Sequence, residues 1–146
     1  CRTLFGFDPR TDLDGYGFPA LPWSRPRDLR ASTTPAPDVP FFLGTVRPDG
    51  RPSSAGIGAV WIDGDLYFTS GPGTHKSRNL AVNPACTISV RLPTVDLVIE
   101  GEATTISDGP KLEQIAARYR EGGWPAEVAD DALAAPYSAP SAGPPP

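Results

Sequence analysis

Histidine and cysteine are nearly absent from this chain of 146 residues, which has one His and two Cys. That shortage excludes a zinc site built from three or four such side chains at a familiar spacing. It also argues against a disulfide framework, since Cys1 stands at the chain end and Cys86 lies in an apolar strand pattern. No apolar run is long enough for a membrane-spanning helix, and the N-terminus lacks the basic-then-apolar layout of a signal peptide. Positive charge is short as well. With a net charge of −4, no overall basic field attracts nucleic acid or an anionic membrane, so any anion site must be local. A cytoplasmic protein with neither partner is expected. The first residue is Cys rather than Met, so the natural start is expected upstream.

Proline is in excess, with 19 Pro beside 15 Gly, and it crowds towards the two ends. Three parts follow: an irregular segment 1–40, a folded domain 41–123 and a Pro-rich segment 124–146 with little pattern. In the first, Phe5, Phe7, Tyr16, Phe18 and Trp23 alternate with Gly, Pro and Asp without periodicity. Ser24 is placed to cap a short helix over Arg25–Ala31. Pro35, Pro37 and Pro40 then enforce an extended approach to the first strand.

The middle is rich in strand signals. Phe41–Arg47 and Ser53–Ile62 flank the turn Pro48-Asp49-Gly50-Arg51, and Asp63-Gly64 leads into Asp65–Ser70. Cys86, Ile88, Val90 and Leu92 alternate with Thr87, Ser89 and Arg91, a period of two. Pro93-Thr94 turns the chain into Val95–Ser107. Strands in succession joined by short turns predict a mainly β, antiparallel barrel or sandwich over 41–107. Two helices flank it. Thr74 caps one that stops before Asn83-Pro84. Asp108 or Gly109 starts another with Leu112, Ile115, Ala116 and Tyr119 on its apolar face, closed by Gly122-Gly123.

The stretch most suggestive of chemistry is Thr69-Ser70-Gly71-Pro72-Gly73-Thr74-His75-Lys76, where a strand enters a Gly-rich turn that opens into a helix. The first N–H groups of a helix lack internal partners and face any anion placed there. Thr69, Ser70 and Thr74 add hydroxyls, and Lys76 adds a full positive charge. The alternative is a capped surface helix with solvated cations. A P-loop is excluded because His75 stands where Gly must precede Lys-Ser, and a dinucleotide fingerprint lacks its parallel βαβ unit.

Thr45-Val46-Arg47-Pro48-Asp49-Gly50-Arg51-Pro52, Leu66-Tyr67-Phe68-Thr69, Lys76-Ser77-Arg78-Asn79-Leu80 and Leu97-Val98-Ile99-Glu100-Gly101-Glu102-Ala103 resemble the pyridoxamine 5′-phosphate oxidase-like split-barrel family. Its actinobacterial members that use FMN or the deazaflavin coenzyme F420 are the most similar. The resemblance implies an antiparallel split β-barrel and a homodimer with the cofactor in grooves at the subunit interface. It also implies that Thr69, Ser70, Thr74, His75 and Lys76 contact the cofactor phosphate. There are departures. The strand Ser53–Val60 lacks the Arg and Lys of true pyridoxamine phosphate oxidases, and their Arg-x-His pair is missing because His75 is the sole histidine. Gly56 and Gly58 on that strand instead suit the close approach of a flat ring, or else relieve sheet bending. Only five strands are counted, so a final strand is expected beyond Pro146.

The expectation is an oxidoreductase moving hydride between bound F420, or FMN, and a small organic substrate, with no side chain assigned to catalysis. A non-catalytic module binding or storing a flavin, haem or small molecule is the alternative; oxidation of B6 phosphates comes third. Trp61 is placed either against the cofactor ring or in the core. Arg47, Arg51 and Arg91 either line a groove for an acidic tail or are surface charge. Asp96, Glu100 and Glu102 read as solvated strand positions.

Overall fold

The computed structural model describes residues 4–6 and 40–137. The short helix expected over Arg25–Ala31 and the tail from residue 138 lie outside them. Of the described helices, none is long and apolar enough to cross a membrane.

Among the described residues, nine strands and two helices follow in the order β1 (Leu4–Gly6), β2 (Phe41–Val46), β3 (Pro52–Ile57), β4 (Ala59–Ile62), β5 (Asp65–Phe68), α1 (His75–Val82), β6 (Ala85–Leu92), β7 (Val95–Thr104), α2 (Gly109–Glu121), β8 (Glu127–Ala129) and β9 (Ala132–Ala134). Seven of the strands form one sheet in the order β3-β2-β6-β7-β1-β5-β4. All its pairings are antiparallel. The two outermost strands, β3 and β4, are consecutive in the chain and joined at Gly58. One bent segment therefore supplies both edges of the sheet, which is how this split barrel limits its unpaired edge.

Local chemistry fixes the turns. Asp63 and Gly64 both have positive φ, 51° and 93°, the geometry of a two-residue hairpin between β4 and β5. Gly50, at φ 85°, closes the β2–β3 turn, while the Asp49 carboxylate accepts from the Arg51 backbone N–H at 3.1 Å. The Asp49 carboxyl sits below its ordinary pKa, chiefly because of the Arg51 side chain.

Two apolar clusters flank the sheet. Leu43, Leu66, Phe68, Cys86, Ile88, Val90, Leu92, Leu97 and Ile99 fill its concave side, as the alternation in β6 predicts. Val60, Ile62 and Tyr67 face the other way and pack on Leu112, Ile115, Ala116 and Tyr119 of α2. Strands β4 and β5 are thus covered on both faces, which explains the unbroken apolar run Leu66-Tyr67-Phe68. Helix α2 starts where Asp108 accepts from Lys111 N–H at 3.0 Å and ends at Gly123, φ 91°.

Three expectations need correction. The count of five strands rises to nine because Ser53–Ile62 breaks at Gly58 and because three short strands escaped notice. Leu4–Gly6, inside the segment read as irregular, pairs between β7 and β5. Residues 124–137 are not patternless: Trp124, Ala126 and Leu133 are buried against α2, and β8–β9 form a hairpin with Asp130 at φ 54°.

Candidate functional site

The Gly-rich loop leaves β5 at Thr69 and enters α1 at Thr74, the N-cap, whose Oγ1 accepts from Ser77 N–H at 3.3 Å. Its hydroxyl proton goes to the Gly71 carbonyl at 2.8 Å. Ser70 Oγ lies 3.0 Å from Thr74 Oγ1 and 2.6 Å from Ser77 Oγ. With one proton per hydroxyl, a single chain satisfies every contact: Ser77 donates to Ser70, Ser70 to Thr74 and Thr74 to Gly71. An anion reaching Ser77 can take its proton with little rearrangement elsewhere. The N–H groups of His75 and Lys76 remain open, since those of Ser77 and Arg78 are held by Thr74.

Lys76 is half-buried in the first turn of α1, and its ammonium has no hydrogen-bond or ion-pair partner among the described residues. His75 is exposed, with Nδ1 3.2 Å from Arg78 Nη2. Since a guanidinium only donates, this contact makes Nδ1 the acceptor and leaves the ring proton on Nε2, facing outward chemistry. Beside the hydroxyl chain is a cavity of about 300 Å³ lined by Ser70, Ser77, Leu80, Ala81, Ala103 and Thr104. Helix α1 is tied to the barrel from below. Asn79 Nδ2 donates to Thr45 Oγ1 at 3.0 Å, and these two are the buried polar residues of the described chain.

Gly58 is drawn to the same loop. Its carbonyl accepts from the Tyr119 hydroxyl at 2.7 Å, and the register that sets Ala59 opposite Phe68 brings Gly58 alongside Thr69. Burial raises the Tyr119 pKa well above its ordinary value, with Thr69 pulling the other way. Gly56 lies apart on the exposed side of β3 opposite Phe42, and a Cβ there would meet nothing within 4 Å. No neighbour in this chain requires a glycine at that position.

The structure thus gathers Gly58, Thr69, Ser70, Thr74, His75 and Lys76 around one loop and leaves Gly56 on the outer sheet face. Sequence reasoning did not assign Ser77, Asn79 or Tyr119. The i,i+3 spacing from Thr74 to Ser77 is the one local signal for the first. The other two act over separations of 34 and 61 residues. Trp61 packs against the barrel core. Arg51 and Arg91 are held by Asp49 and Asp96 at 2.7 and 2.8 Å on the surface, the behaviour of exposed strand-end charge. Asp96, Glu100 and Glu102 are exposed, as expected.

Comparison with known proteins adds the following. The family described as pyridoxamine 5′-phosphate oxidase matches residues 36–140. A solved structure named F420 reductase is 26% identical, with a TM-score of 0.52 over 75% of this chain and 83% of that one. A conserved hypothetical protein of Mycobacterium tuberculosis is 18% identical, TM-score 0.58, over 70% of this chain and 64% of its own. A pyridoxamine 5′-phosphate oxidase-related, FMN-binding protein of Nostoc punctiforme is 21% identical, TM-score 0.51, over 73% and 65%. The last two share the fold. None of the curated proteins matches the chain.

Proposed function

The chain belongs to the pyridoxamine 5′-phosphate oxidase family, and from that footing we propose an oxidoreductase that works with bound coenzyme F420 or FMN on a small organic substrate. The observation that carries the reading is the Lys76 ammonium, without a partner among the described residues, in the first turn of α1, whose next residue, Ser77, lines a cavity together with Ser70. A phosphate fits these donors. Lys76 neutralises it, the open N–H groups of His75 and Lys76 donate to it, and the Ser77 hydroxyl and His75 Nε2–H complete the cradle, with Ser70 and Thr74 holding Ser77 in place. Thr69, at the root of the loop, adds a hydroxyl. Gly58 and Gly56, without side chains, let a ring approach the sheet closely. When bound, either coenzyme supplies hydride transfer at that ring, and the protein's part is to bind, orient and exclude water.

F420 is the first choice. The similar protein named F420 reductase is matched over most of its length. Oxidation of B6 phosphates is disfavoured, since β3 carries no Arg or Lys.

Two copies are proposed to join through the outer face of β2, β6 and β7. There Phe42 and Val98, each 47% exposed, flank Ser89 in register. A groove of about 730 Å³ lined by Gly44, Ser54, Thr87 and Glu100 runs alongside.

Absorbance titration of the protein with F420 and FMN tests the reading, followed by reoxidation of reduced F420 by quinones and enones. Saturable binding with turnover supports it. Binding of neither coenzyme overturns it, and binding without turnover of any acceptor makes the protein a carrier.

A further inference from the structure

The cavity lined by Ser70 and Ser77 has more room than a phosphate alone needs. At about 300 Å³ it stands at the small end of pockets that hold organic ligands. From those two hydroxyls it runs to Leu80 and Ala81 on α1 and to Ala103, Thr104 and Thr105 around the end of β7. Ser77, Leu80 and Ala81 stand at i, i+3 and i+4, on one face of the helix. Among the described residues that line it, none is charged. Leu80, Ala81 and Ala103 make one wall apolar. At the loop end, Ser70 gives its proton to Thr74 and accepts from Ser77, which leaves a lone pair on its oxygen. Such a space suits a small neutral group with an apolar part and an N–H or O–H to donate. Ser77 belongs to this cavity and to the phosphate cradle alike, so a group bonded to a cradled phosphate has this space beside it.

We propose that this cavity receives the second ester arm of a phosphodiester, so that the chain selects a doubly esterified coenzyme phosphate over a singly esterified one. The inference rests on the proposed cofactor reading. A monoester such as FMN ends at its phosphate and leaves the cavity to water. The phosphate of F420 carries a lactyl group beyond it, joined through an amide to glutamate. A methyl against Leu80, Ala81 and Ala103, and an amide N–H towards Ser70, match the two characters of the lining. The glutamate carboxylates stay outside, since the cavity lining offers them no cation. Ala81 is then the specificity determinant, because its small side chain keeps the space open.

The test uses F420 stripped of its glutamates, which keeps the lactyl arm, and deazariboflavin 5′-phosphate, which has the same ring and phosphate but no arm. Absorbance titration compares them in wild type, Ala81→Leu and Val82→Leu. Ala81 is exposed on α1 and leucine is a good helix former, so Ala81→Leu fills the cavity and retains the fold. Wild type is expected to bind the ligand with the arm about tenfold tighter. In Ala81→Leu that preference falls below about twofold, through loss of affinity for the diester alone. Val82→Leu, on the next residue but outside the cavity, changes neither affinity. Equal binding of the two ligands by wild type overturns the proposal, as does a preference that survives Ala81→Leu or an equal loss for both ligands. If Ala81→Leu does not fold, Ala81→Gln fills the same space and carries the same expectation. Failure of wild type to bind F420 or FMN rejects the cofactor reading instead, so the two failures are distinct.

Discussion

Cutting the tie between Asn79 and Thr45 is expected to loosen the whole anion loop, because this hydrogen bond is the polar link from α1 to the barrel wall. The two residues are 5% and 4% exposed, and the bond is 3.0 Å long. Thr45→Val leaves the Asn79 amide buried without an acceptor, and Asn79→Leu leaves the Thr45 hydroxyl without its donor. Each single change is expected to cost about 1–3 kcal/mol, the penalty of a buried group stripped of its partner. Replacing both by apolar groups of similar shape removes the penalty along with the bond, so Thr45→Val/Asn79→Leu should return close to wild-type stability. The coupling energy is then the sum of the two single losses, roughly 2–6 kcal/mol, well outside the additivity error of about 0.3–0.5 kcal/mol. Urea unfolding of the four proteins measures it directly. In thermal melts each single variant should fall by about 3–5 °C per kcal/mol. A double variant that loses the sum of the singles refutes the reasoning, since Asn79 and Thr45 would then contribute independently.

Other outcomes follow from single contacts. A Cβ on Gly44 would clash with Thr87 Oγ1, so Gly44→Ala should cost about 1–3 kcal/mol and be largely rescued by Thr87→Ala, read by urea midpoints. Asp108→Ala removes the N-cap of α2 and should lose about 0.5–2 kcal/mol, most of it recovered by Asp108→Ser. Burial, with Glu102 adding to it, pushes the Cys86 thiol from 9.0 up to about 12. The fold holds that proton more tightly than the unfolded chain does. Its stabilising contribution is therefore complete below pH 9.0 and is lost as pH climbs towards about 12. Cys86→Ala should flatten that alkaline limb, and Cys86 in the native protein should resist alkylation until urea opens the barrel, as mapped by mass spectrometry.

Much of the fold was legible because single residues decide it locally. The period of two in Cys86–Leu92 marks β6, paired positive φ at Asp63-Gly64 marks a hairpin, and Leu112, Ile115, Ala116 and Tyr119 mark the buried stripe of α2. The bend at Gly58 was hidden because β4 is covered on both faces, so its apolar residues do not alternate. Strands of three residues, such as Leu4–Gly6 and the β8–β9 hairpin, are too short for periodicity to show. At the site, the Thr74 cap could be read from its position before the helix. The Tyr119 contact with Gly58 could not, because Tyr119 lies on an element that only the folded barrel brings near. Gly56 invited a reading of close approach, and within one chain it has none.

The central claim is that the loop ending in Lys76 holds a coenzyme phosphate. Titration of wild type and Lys76→Ala with F420 and with FMN tests it most directly, alongside melting curves of the unliganded proteins. A charge-assisted hydrogen bond of about 1.5–3 kcal/mol predicts affinity weakened roughly ten- to hundredfold in Lys76→Ala. The unliganded melting temperature should not move, since that ammonium holds nothing in the fold. Equal affinities for wild type and variant would contradict the account.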